Sequence, residues 1–419
     1  MKSRLLLAAA LLAAAALASQ AHIRTLLAGD ESPEITVARL EALPSPAAPG
    51  SAEPNLDVGP DGRVHMSWLE PLGTSQGHAL KVAMLEDASW SPAHTVRSGR
   101  DFFVNWADFP SVLSLGDNRL VAHWLQRTGS ATYAYGVRLA FSRDAGRTWS
   151  APLTPHSDSS NTEHGFVSLW RTARGDGVEA VWLDGRKYDR ANADATNEMS
   201  LATAAFTLDG GASSPERILD GRVCDCCQTS AAVTSRGPVI VYRDRSTAEI
   251  RDIGVVRRES SDRWTEPVVV HNDGWKINAC PVNGPSIAAR GNDVAVAWFT
   301  AANAAPTVRV AFSRDAGATF AAPIRVDEGQ PAGRVDVELT RDGVALVTWI
   351  ERTGGDAAAV RLRRVERNGR SGAPTTIATS SAARASGFPR MVIAGNDAIF
   401  AWTVPGRPSE VKVAKLKVQ

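Results

Sequence analysis

The chain has 419 residues, of which 44% are hydrophobic and 22% charged, with a formal net charge of +1 at pH 7. This hydrophobicity excludes an intrinsically disordered chain, and the near-neutral charge argues against a nucleic-acid partner or a polybasic membrane-binding surface. Length alone favours two or three domains, but a repeat architecture overrides that expectation.

The first residues have the pattern of a secretory signal peptide. Lys2 and Arg4 precede an apolar, alanine-rich run over residues 5–18, and small residues suited to cleavage follow up to Ala21. The run is too short and too alanine-rich for a membrane span. We therefore predict a signal peptide over residues 1–21, with cleavage after Ala18 as the alternative, and one mature domain over residues 22–419. The protein is then periplasmic or secreted, without stable membrane insertion, in a compartment where disulfides persist.

One pattern then recurs seven times along the chain: a short apolar strand, a tight turn rich in Gly, Asp and Asn, and a second strand with an aromatic residue near its end. Successive aromatics are 51 to 60 residues apart. They are Trp68, Trp124, Trp182, Tyr242, Trp298, Trp349 and Trp402. Evenly spaced hairpins of this kind are typical of a β-propeller, with one hairpin in each blade. Tyr242 shares the repeat position of the tryptophans, so we expect it in the core.

A second motif follows the third strand of several repeats. Residues 142–149 (SRDAGRTW) and 313–320 (SRDAGATF) are nearly complete Asp boxes, and residues 207–213 (TLDGGAS) are a degenerate copy. In such a turn the Asp carboxylate accepts hydrogen bonds from its own loop, Gly adopts a positive φ, and the last aromatic covers the blade edge. The motif resembles the Asp-box (BNR) repeats of the sialidase superfamily and related propellers. It marks outer turns, away from any reaction centre.

The repeat count predicts an all-β propeller of seven four-stranded blades. The last repeat has only three strands before the chain ends at Gln419, whereas residues 34–42 form a strand with no repeat of its own. Pairing this N-terminal strand with the last blade closes the ring and covers two open edges. Six blades, the number that the sialidase resemblance implies, is the alternative.

Polar residues concentrate where the first strand of each blade begins and the second ends, which is one face of a propeller. On the first strands these residues are Asn55, Asp108, His164, residues 224–228, Cys280, Asn283, Asp336 and Arg390. On the second strands they are Glu70, Arg127, Asp184, Arg186, residues 243–245, Glu351, Arg352 and Arg407. Blades three to five carry the densest group, and we place the candidate site there.

Arginine and acidic side chains dominate this sector. Guanidinium groups bind carboxylates, sulfates and phosphates bidentately, and carboxylates or imidazoles serve as general acids and bases. The candidate ligand-binding residues are Arg243, Arg245, Arg251, Arg186, Asn283 and Trp275. The candidate catalytic residues are Asp244, Asp184, Asp108, His164 and Tyr188. The alternative is a network of ion pairs that braces the loops.

All four cysteines lie in the same sector: Cys224, Cys226, Cys227 and Cys280. In an oxidising compartment disulfides are the first interpretation, and a bond from Cys280 to one of the other three would join blades four and five. A bond between the adjacent Cys226 and Cys227 would be strained. The alternatives are a copper or zinc site, in which His164 could also take part, and a redox-active or nucleophilic thiol.

The sialidase resemblance implies a specific chemistry: three arginines hold the substrate carboxylate, a Tyr paired with Glu is the nucleophile, and an Asp is the acid/base. The F/Y-R-I-P motif that carries the first arginine is absent. Of the four tyrosines, only Tyr188 falls on a loop predicted to face the channel. The resemblance thus implies an exo-sialidase-like hydrolase that binds an anionic glycan. We also expect a monomer that requires no cofactor. The alternative is a non-catalytic propeller that binds a ligand, a metal ion or a partner.

Overall fold

The computed structural model describes residues 40–73, 75–188, 196–260 and 263–418. Seven antiparallel sheets form the blades of a propeller, which confirms the predicted class and the count of seven. The predicted signal peptide lies outside the described residues. Within these ranges the helices are the 3-10 turns Ala302–Ala304 and Arg384–Ser386, and neither has the length or apolar character to cross a bilayer.

The strands follow one another in chain order around the ring. Those of blades one to three are β2 Ala52–Val58, β3 Val64–Pro71, β4 His78–Glu86, β5 Ser89–Trp90, β6 His94–Gly99; β7 Ser111–Gly116, β8 Arg119–Arg127, β9 Tyr135–Ser142; β10 His164–Arg171, β11 Gly177–Asp184, β12 Met199–Thr207 and β13 Ala212–Val223. Those of blades four and five are β14 Ser230–Thr234, β15 Gly237–Arg243, β16 Ile253–Ser260, β17 Arg263–Trp264, β18 Val268–Val269; β19 Ser286–Arg290, β20 Asp293–Thr300, β21 Thr307–Ser313 and β22 Ile324–Arg325. Those of blades six and seven are β23 Pro331–Leu339, β24 Ala345–Gly354, β25 Ala357–Val365, β26 Thr375–Ser381; β27 Arg390–Ala394, β28 Asp397–Val404, β29 Glu410–Lys417 and β1 Glu41–Leu43.

The outer strand varies most from blade to blade. In blades one and four it consists of two short pieces, which both pair with the third strand. In blade two it is reduced to one bridge, in which Leu139 and Leu153 exchange two backbone hydrogen bonds of 2.9 Å. The inner three strands are present in every blade, so the channel wall is regular although the rim is not.

The N-terminal strand closes the ring, as predicted. Strand β1 pairs antiparallel with β29, with Glu41 opposite Lys415 and Leu43 opposite Val413. Blade seven therefore takes its outer strand from the beginning of the chain and its inner three from the end. Residues 34–39 of the predicted strand lie outside the described ranges.

The repeated aromatics all lie on the second strand of their blade and are buried. Trp68, Trp182 and Tyr242 have no exposed surface, and the last position, Trp402, is 8% exposed. Each packs between neighbouring blades. Trp298 of blade five, for example, shares a cluster with Val239 of blade four. A buried aromatic of this size removes 150–250 Å² from water, so the repeat holds adjacent blades together.

The two nearly complete Asp boxes have the predicted geometry. In the first, Asp144 accepts hydrogen bonds from the backbone N–H and the hydroxyl of Thr148, at 2.9 and 2.6 Å. Gly146 has φ +86°, and Trp149 donates to its carbonyl at 2.9 Å. The box at 313–320 repeats the bonds of the Asp. In the degenerate copy Asp209 pairs with Arg143 of the first box. These turns follow the third strands, on the outer side of the blades.

Candidate functional site

The first strands of the blades and the loops before them enclose a central cavity of about 160 Å³. All seven blades contribute to its wall, as the propeller geometry predicted. The polar residues of the wall are Asn55, Asp57, Asp108, Ser111, Ser168, Gln228, Thr229, Ser230 and Arg390. Of the predicted catalytic residues, only Asp108 lines this cavity.

The backbone at the start of several first strands takes a left-handed conformation. Glu53, Phe166 and Arg334 have φ of 57°, 54° and 56°, each at a bulge in the pairing of its strand with the next. Non-glycine residues rarely adopt this region, and where they do they are frequently part of functional sites. The three bulges shape the wall of the channel in blades one, three and six.

Asp108 binds the blade-three bulge and a buried tyrosine at the same time. Its Oδ1 accepts a hydrogen bond from the backbone N–H of Phe166 at 2.7 Å, and its Oδ2 lies 2.9 Å from the Tyr135 hydroxyl. That hydroxyl is also 2.6 Å from Oε1 of Glu163. A phenol has one proton, so it donates to one carboxylate, and the other contact is satisfied when that carboxyl is itself protonated.

The electrostatics of Asp108 favour a protonated acid near neutral pH. The side chain is 1% exposed. Burial raises the pKa of Asp108 to about 7, although the hydrogen bonds from Phe166 and Tyr135 lower it. Burial and the neighbouring charges of Asp108 and Glu163 raise the pKa of Tyr135 well above its usual value. The three side chains therefore form a chain along which a proton can pass.

A second buried carboxyl lies close by. Glu53 is 8% exposed, and its Oε2 accepts no hydrogen bond within the described part of the chain. Burial, and then the charge of Asp108, raise the pKa of Glu53 well above its usual value. Buried carboxyls of raised pKa that lie near one another are characteristic of sites where protons are transferred.

Arg390 and two aromatic rings complete the cavity. Among the residues that line it, Arg390 is the one arginine. Its Nε is 3.6 Å from Asp336, and its guanidinium lies 5.8 Å from the ring centre of Phe109. Phe109 packs against Phe388 with ring centres 5.7 Å apart, and both line the cavity. The cavity thus combines one cation, an apolar wall and a proton donor.

Asp184 and His164, both predicted to be catalytic, lie in a separate cluster behind the channel wall. The Asp184 carboxylate accepts from Trp182 Nε1 at 3.0 Å and from Arg186 Nε and Nη2, both at 2.7 Å. The bonds from Arg186 and His164 outweigh burial and hold the pKa of Asp184 far below its usual range. Because it stays ionised and paired, this carboxylate is unsuited to donating a proton. Arg186 binds this carboxylate and Glu216.

The buried His164 stacks on His156 with ring centres 3.9 Å apart, and its Nε2 is 3.2 Å from Asp158. Burial, with His164 as a like-charged neighbour, lowers the pKa of His156 to about 4. The pair packs between loops of blades two and three rather than at the cavity.

Arg243, predicted to bind a ligand anion, binds backbone instead. It is 1% exposed, and Nε, Nη1 and Nη2 donate to the carbonyls of Asn283, Arg251 and Phe299 at 2.8, 2.6 and 2.7 Å. Its guanidinium stacks on the ring of Trp275 at 4.8 Å. The Asn283 side chain accepts from Arg334 N at 2.7 Å. Arg243, Asn283 and Trp275 therefore join blades four to six, and none lines the cavity.

The remaining predicted arginines form the ion-pair network that was the alternative interpretation. Arg245 and Arg251 both bind Glu249, at 3.0 and 3.1 Å, and Arg251 also binds Asp225 at 3.2 Å. The Tyr188 hydroxyl donates to Asp225 at 3.1 Å, and burial raises its pKa. These groups are occupied by one another and lie outside the cavity.

Asp244 differs from the other carboxylates of this sector. It accepts the backbone N–H of Arg245 at 2.7 Å. Burial, and secondarily the nearby Asp220 and Asp252, raise its pKa to about 6. Its position outside the cavity separates it from Arg390 and Asp108.

The cysteines form one disulfide and one buried pair. Cys226 and Cys280 are bonded, which confirms the predicted link between blades four and five. Cys224 and Cys227 are each 1% exposed, with their sulfurs 2.8 Å apart. Tetrahedral zinc with sulfur ligands at about 2.3 Å would hold these sulfurs about 3.8 Å apart. Because Cys226 is also consumed by the disulfide, the four residues as placed here do not fit a thiolate-bound copper or zinc ion.

Three residues of the cavity region escaped the sequence analysis: Glu53, Tyr135 and Glu163. Tyr135 begins the third strand of its blade, whereas the predicted site residues lie at the ends of first and second strands. Its two partners are 27 and 28 residues away in sequence. The available indication was that Glu163 directly precedes the predicted His164 and that Glu53 lies two residues before the predicted Asn55.

No family model and no curated protein matches the chain. Solved β-propeller structures are similar to the chain in fold. A protein of unknown function from Dyadobacter fermentans aligns over 92% of this chain and 100% of its own, with 14% identity and a TM-score of 0.52. The phage phi92 endosialidase aligns over 91% of this chain and 69% of its own, with 11% identity and a TM-score of 0.52. At such identities the likeness concerns the fold alone.

Proposed function

We propose that the protein binds a small sugar acid in the central channel and hydrolyses its glycosidic bond, with Asp108 as proton donor. One observation carries this proposal: Asp108, linked through Tyr135 to Glu163, lines the same cavity as Arg390. A cation for a carboxylate and a carboxyl of raised pKa thus face one ligand-sized space. The disulfide Cys226–Cys280 favours the further proposal that the protein is periplasmic or secreted.

Ligand binding rests on Arg390 and on the wall around it. A guanidinium binds a carboxylate through two parallel hydrogen bonds. Phe109 and Phe388 offer an apolar surface to the face of a sugar ring, while Ser111, Ser168 and Thr229 offer hydroxyls to its hydroxyl groups. Pockets for drug-sized ligands measure about 300–1,000 Å³. The cavity of about 160 Å³ therefore suits a single sugar residue.

The chemistry rests on the carboxyls. Protonated Asp108 donates its proton to the glycosidic oxygen as the bond breaks, which is general acid catalysis. Tyr135 then passes a proton back from Glu163, because its hydroxyl is within 3 Å of both carboxyls. Water adds to the anomeric carbon and gives up a proton, which restores the protonated carboxyls, so the reaction balances without Glu53, whose raised pKa keeps its carboxyl protonated.

Replacing Asp108 with Asn and Arg390 with Gln should separate catalysis from binding. We expect Asp108→Asn to lower kcat by about 10²–10⁴-fold, the usual contribution of a general acid. Arg390→Gln should raise KM by about 10–100-fold, as expected for the loss of a charge-assisted pair. The measurement is turnover of fluorogenic sialosides and glucuronides, with a neutral galactoside for comparison, and calorimetric binding of the free sugar acids.

Arg245→Gln is the matched control, since it removes an arginine of the ion-pair network that lies outside the cavity. This variant should retain wild-type kinetics. Three results would overturn the proposal: no binding of any sugar acid by the wild type, equal turnover of neutral and acidic glycosides, or loss of activity in Arg245→Gln. Binding without turnover would overturn the catalytic part alone. A structural role for Asp108 would lower stability in Asp108→Asn and leave kcat unchanged.

The pH profile should report the ionisation of Asp108. The group acts as an acid only when protonated, so activity should be constant below its pKa of about 7 and fall tenfold per pH unit above it. The hydrogen bond from Tyr135 lowers this pKa. Tyr135→Phe should therefore move the alkaline limb of kcat to higher pH. A limb that stays in place, or moves to lower pH, would contradict the assignment of the limb to Asp108.

A further inference from the structure

The four cysteines form two pairs at different depths in the loops before blades four and five. Cys280 is exposed and Cys226 partly exposed, while Cys224 and Cys227 are buried beneath them. The Cys224 sulfur lies 2.8 Å from that of Cys227 and 3.9 Å from that of Cys226. Cys224 is thus in reach of both its own partner and the disulfide.

We propose that these cysteines form an intramolecular thiol–disulfide relay, in which the buried pair Cys224/Cys227 and the exposed pair Cys226/Cys280 exchange one disulfide. A disulfide bond is about 2.05 Å long, so the buried sulfurs need to approach by less than 1 Å to bond. The spacing Cys-x-x-Cys between them is that of redox-active dithiols. The two pairs together hold one disulfide and two thiols in either state.

The exchange runs in two balanced steps. In the first, the Cys224 thiolate attacks the sulfur of Cys226; the Cys224–Cys226 bond forms, and Cys280 leaves as a thiolate that takes up a proton. In the second, Cys227 loses its proton and attacks Cys224; the Cys224–Cys227 bond forms, and Cys226 leaves as a thiolate. Two electrons move from the buried pair to the exposed one, so no external oxidant or reductant is consumed.

The surroundings select Cys224 as the attacking sulfur. Arg251 Nη1 lies 3.4 Å from its sulfur and stabilises the thiolate. Burial raises the pKa of Cys224, but the hydrogen bond from Cys227 and the charge of Arg251 outweigh it and lower the pKa to about 7. Burial raises the pKa of Cys227 well above its usual value. A reactive first thiol and an inert second thiol suit the roles of nucleophile and resolving cysteine.

The exposed pair is where the relay meets other molecules. Cys280 is exposed, so an external dithiol would meet this residue first, whereas Cys224 and Cys227 are buried. Exchange therefore stores an oxidised pair in the interior and presents two thiols at the surface. The segments that hold both pairs continue into the cavity wall at Gln228 and Gly284.

The relay can be trapped by removing the resolving cysteine. Cys280 is on a different tryptic peptide (277–290) from the other three cysteines (223–236). Alkylation of Cys280 therefore directly reports its release from the disulfide with Cys226. In Cys227→Ser, without reductant, no resolving thiol is left to attack the Cys224–Cys226 bond formed in the first step. Cys280 should therefore be released as a thiol in part of the molecules. Maleimide labelling with acid quenching and mass spectrometry should find at least about tenfold more alkylated Cys280 than in Cys224→Ser, which lacks the attacking thiolate.

The wild type provides the second measurement, which does not depend on a variant folding. The protein is first fully reduced and freed of reductant, and one equivalent of oxidised glutathione then restores one disulfide per chain. This disulfide should redistribute between the two pairs with time, with both disulfides among the products. The proposal is overturned if Cys280 stays bonded to Cys226 in Cys227→Ser to the same extent as in Cys224→Ser. It is also overturned if the single disulfide restored in the wild type stays in one pair and no exchange follows. Either result would mean static disulfides.

Discussion

Arg243→Met should lower the free energy of unfolding by about 3–5 kcal/mol, because it leaves buried carbonyl groups without donors. In the native protein the guanidinium donates to the carbonyls of Asn283, Arg251 and Phe299 and is 1% exposed. Each unsatisfied buried acceptor costs about 1–3 kcal/mol. Removing the buried charge recovers part of its desolvation cost, so the net loss is smaller than the sum.

Urea unfolding followed by tryptophan fluorescence measures this change, provided that the slope with denaturant stays the same. Arg245→Met is the matched control: it breaks a partly exposed pair with Glu249 and should cost about 1 kcal/mol or less. Arg243→Lys should be intermediate, since one ammonium cannot reach all three carbonyls, which belong to separate segments of the chain. If Arg243→Met were as stable as the wild type but lost ligand binding, Arg243 would be a ligand contact after all.

The fold was predictable because its determinants are local. A tight turn and a buried aromatic recur in every blade, and each is set by residues a few positions apart in sequence. Closure was predictable for a similar reason: the last repeat lacks a strand, and an unpaired strand precedes the first repeat. The details of the rim, such as the single bridge of Leu139 and Leu153 in blade two, have no comparable pattern.

The site was less predictable because position in a blade does not determine the partner of a side chain. Arg243 and Arg390 both fall at the predicted mouth of a strand. Arg243 is enclosed by carbonyls of a loop residue and a strand residue 40 and 56 positions away, whereas Arg390 reaches the cavity. Asp184 and Asp108 were likewise both predicted at the mouth of a strand, but Arg186, two residues after Asp184, keeps Asp184 ionised. These differences arise from packing between blades.

The contrast between Asp184 and Asp108 also helps to decide which carboxylates are candidates for catalysis and which are structural. A carboxylate with arginine on both oxygens is a structural ion pair, and blades three and four hold several of these. Asp108 accepts only a backbone N–H and a tyrosine hydroxyl among the contacts of the described chain. Since neither partner carries a positive charge, burial dominates and the pKa rises. The dense charged sector is thus the scaffold, and the sparsely charged channel is the candidate site.

Removing the disulfide should be about as costly as removing Arg243. Cys226 and Cys280 are 54 residues apart in sequence, and the chain-entropy argument assigns about 4 kcal/mol to closing a loop of that length. The bond also ties the loop before blade four to the loop before blade five, where Gln228 and Gly284 reach the cavity wall. We therefore expect Cys226→Ser/Cys280→Ser to lower the free energy of unfolding by about 4 kcal/mol under oxidising conditions.

A comparison under reducing conditions separates the cross-link from the side chains. With excess reductant the wild type loses its bond as well, so its unfolding midpoint should fall to that of the double variant. A difference that persisted in reductant would instead be due to the contacts of the two sulfurs. If the wild type and the double variant had equal unfolding midpoints under oxidising conditions, the prediction would be wrong. Residual structure in the unfolded chain would then already hold the two segments together, so that the cross-link adds nothing. The segments 223–236 and 277–290, which the disulfide joins, both lead into the channel. If the Cys226–Cys280 bond orders the cavity wall, Cys226→Ser/Cys280→Ser should also bind the sugar acid more weakly than the wild type.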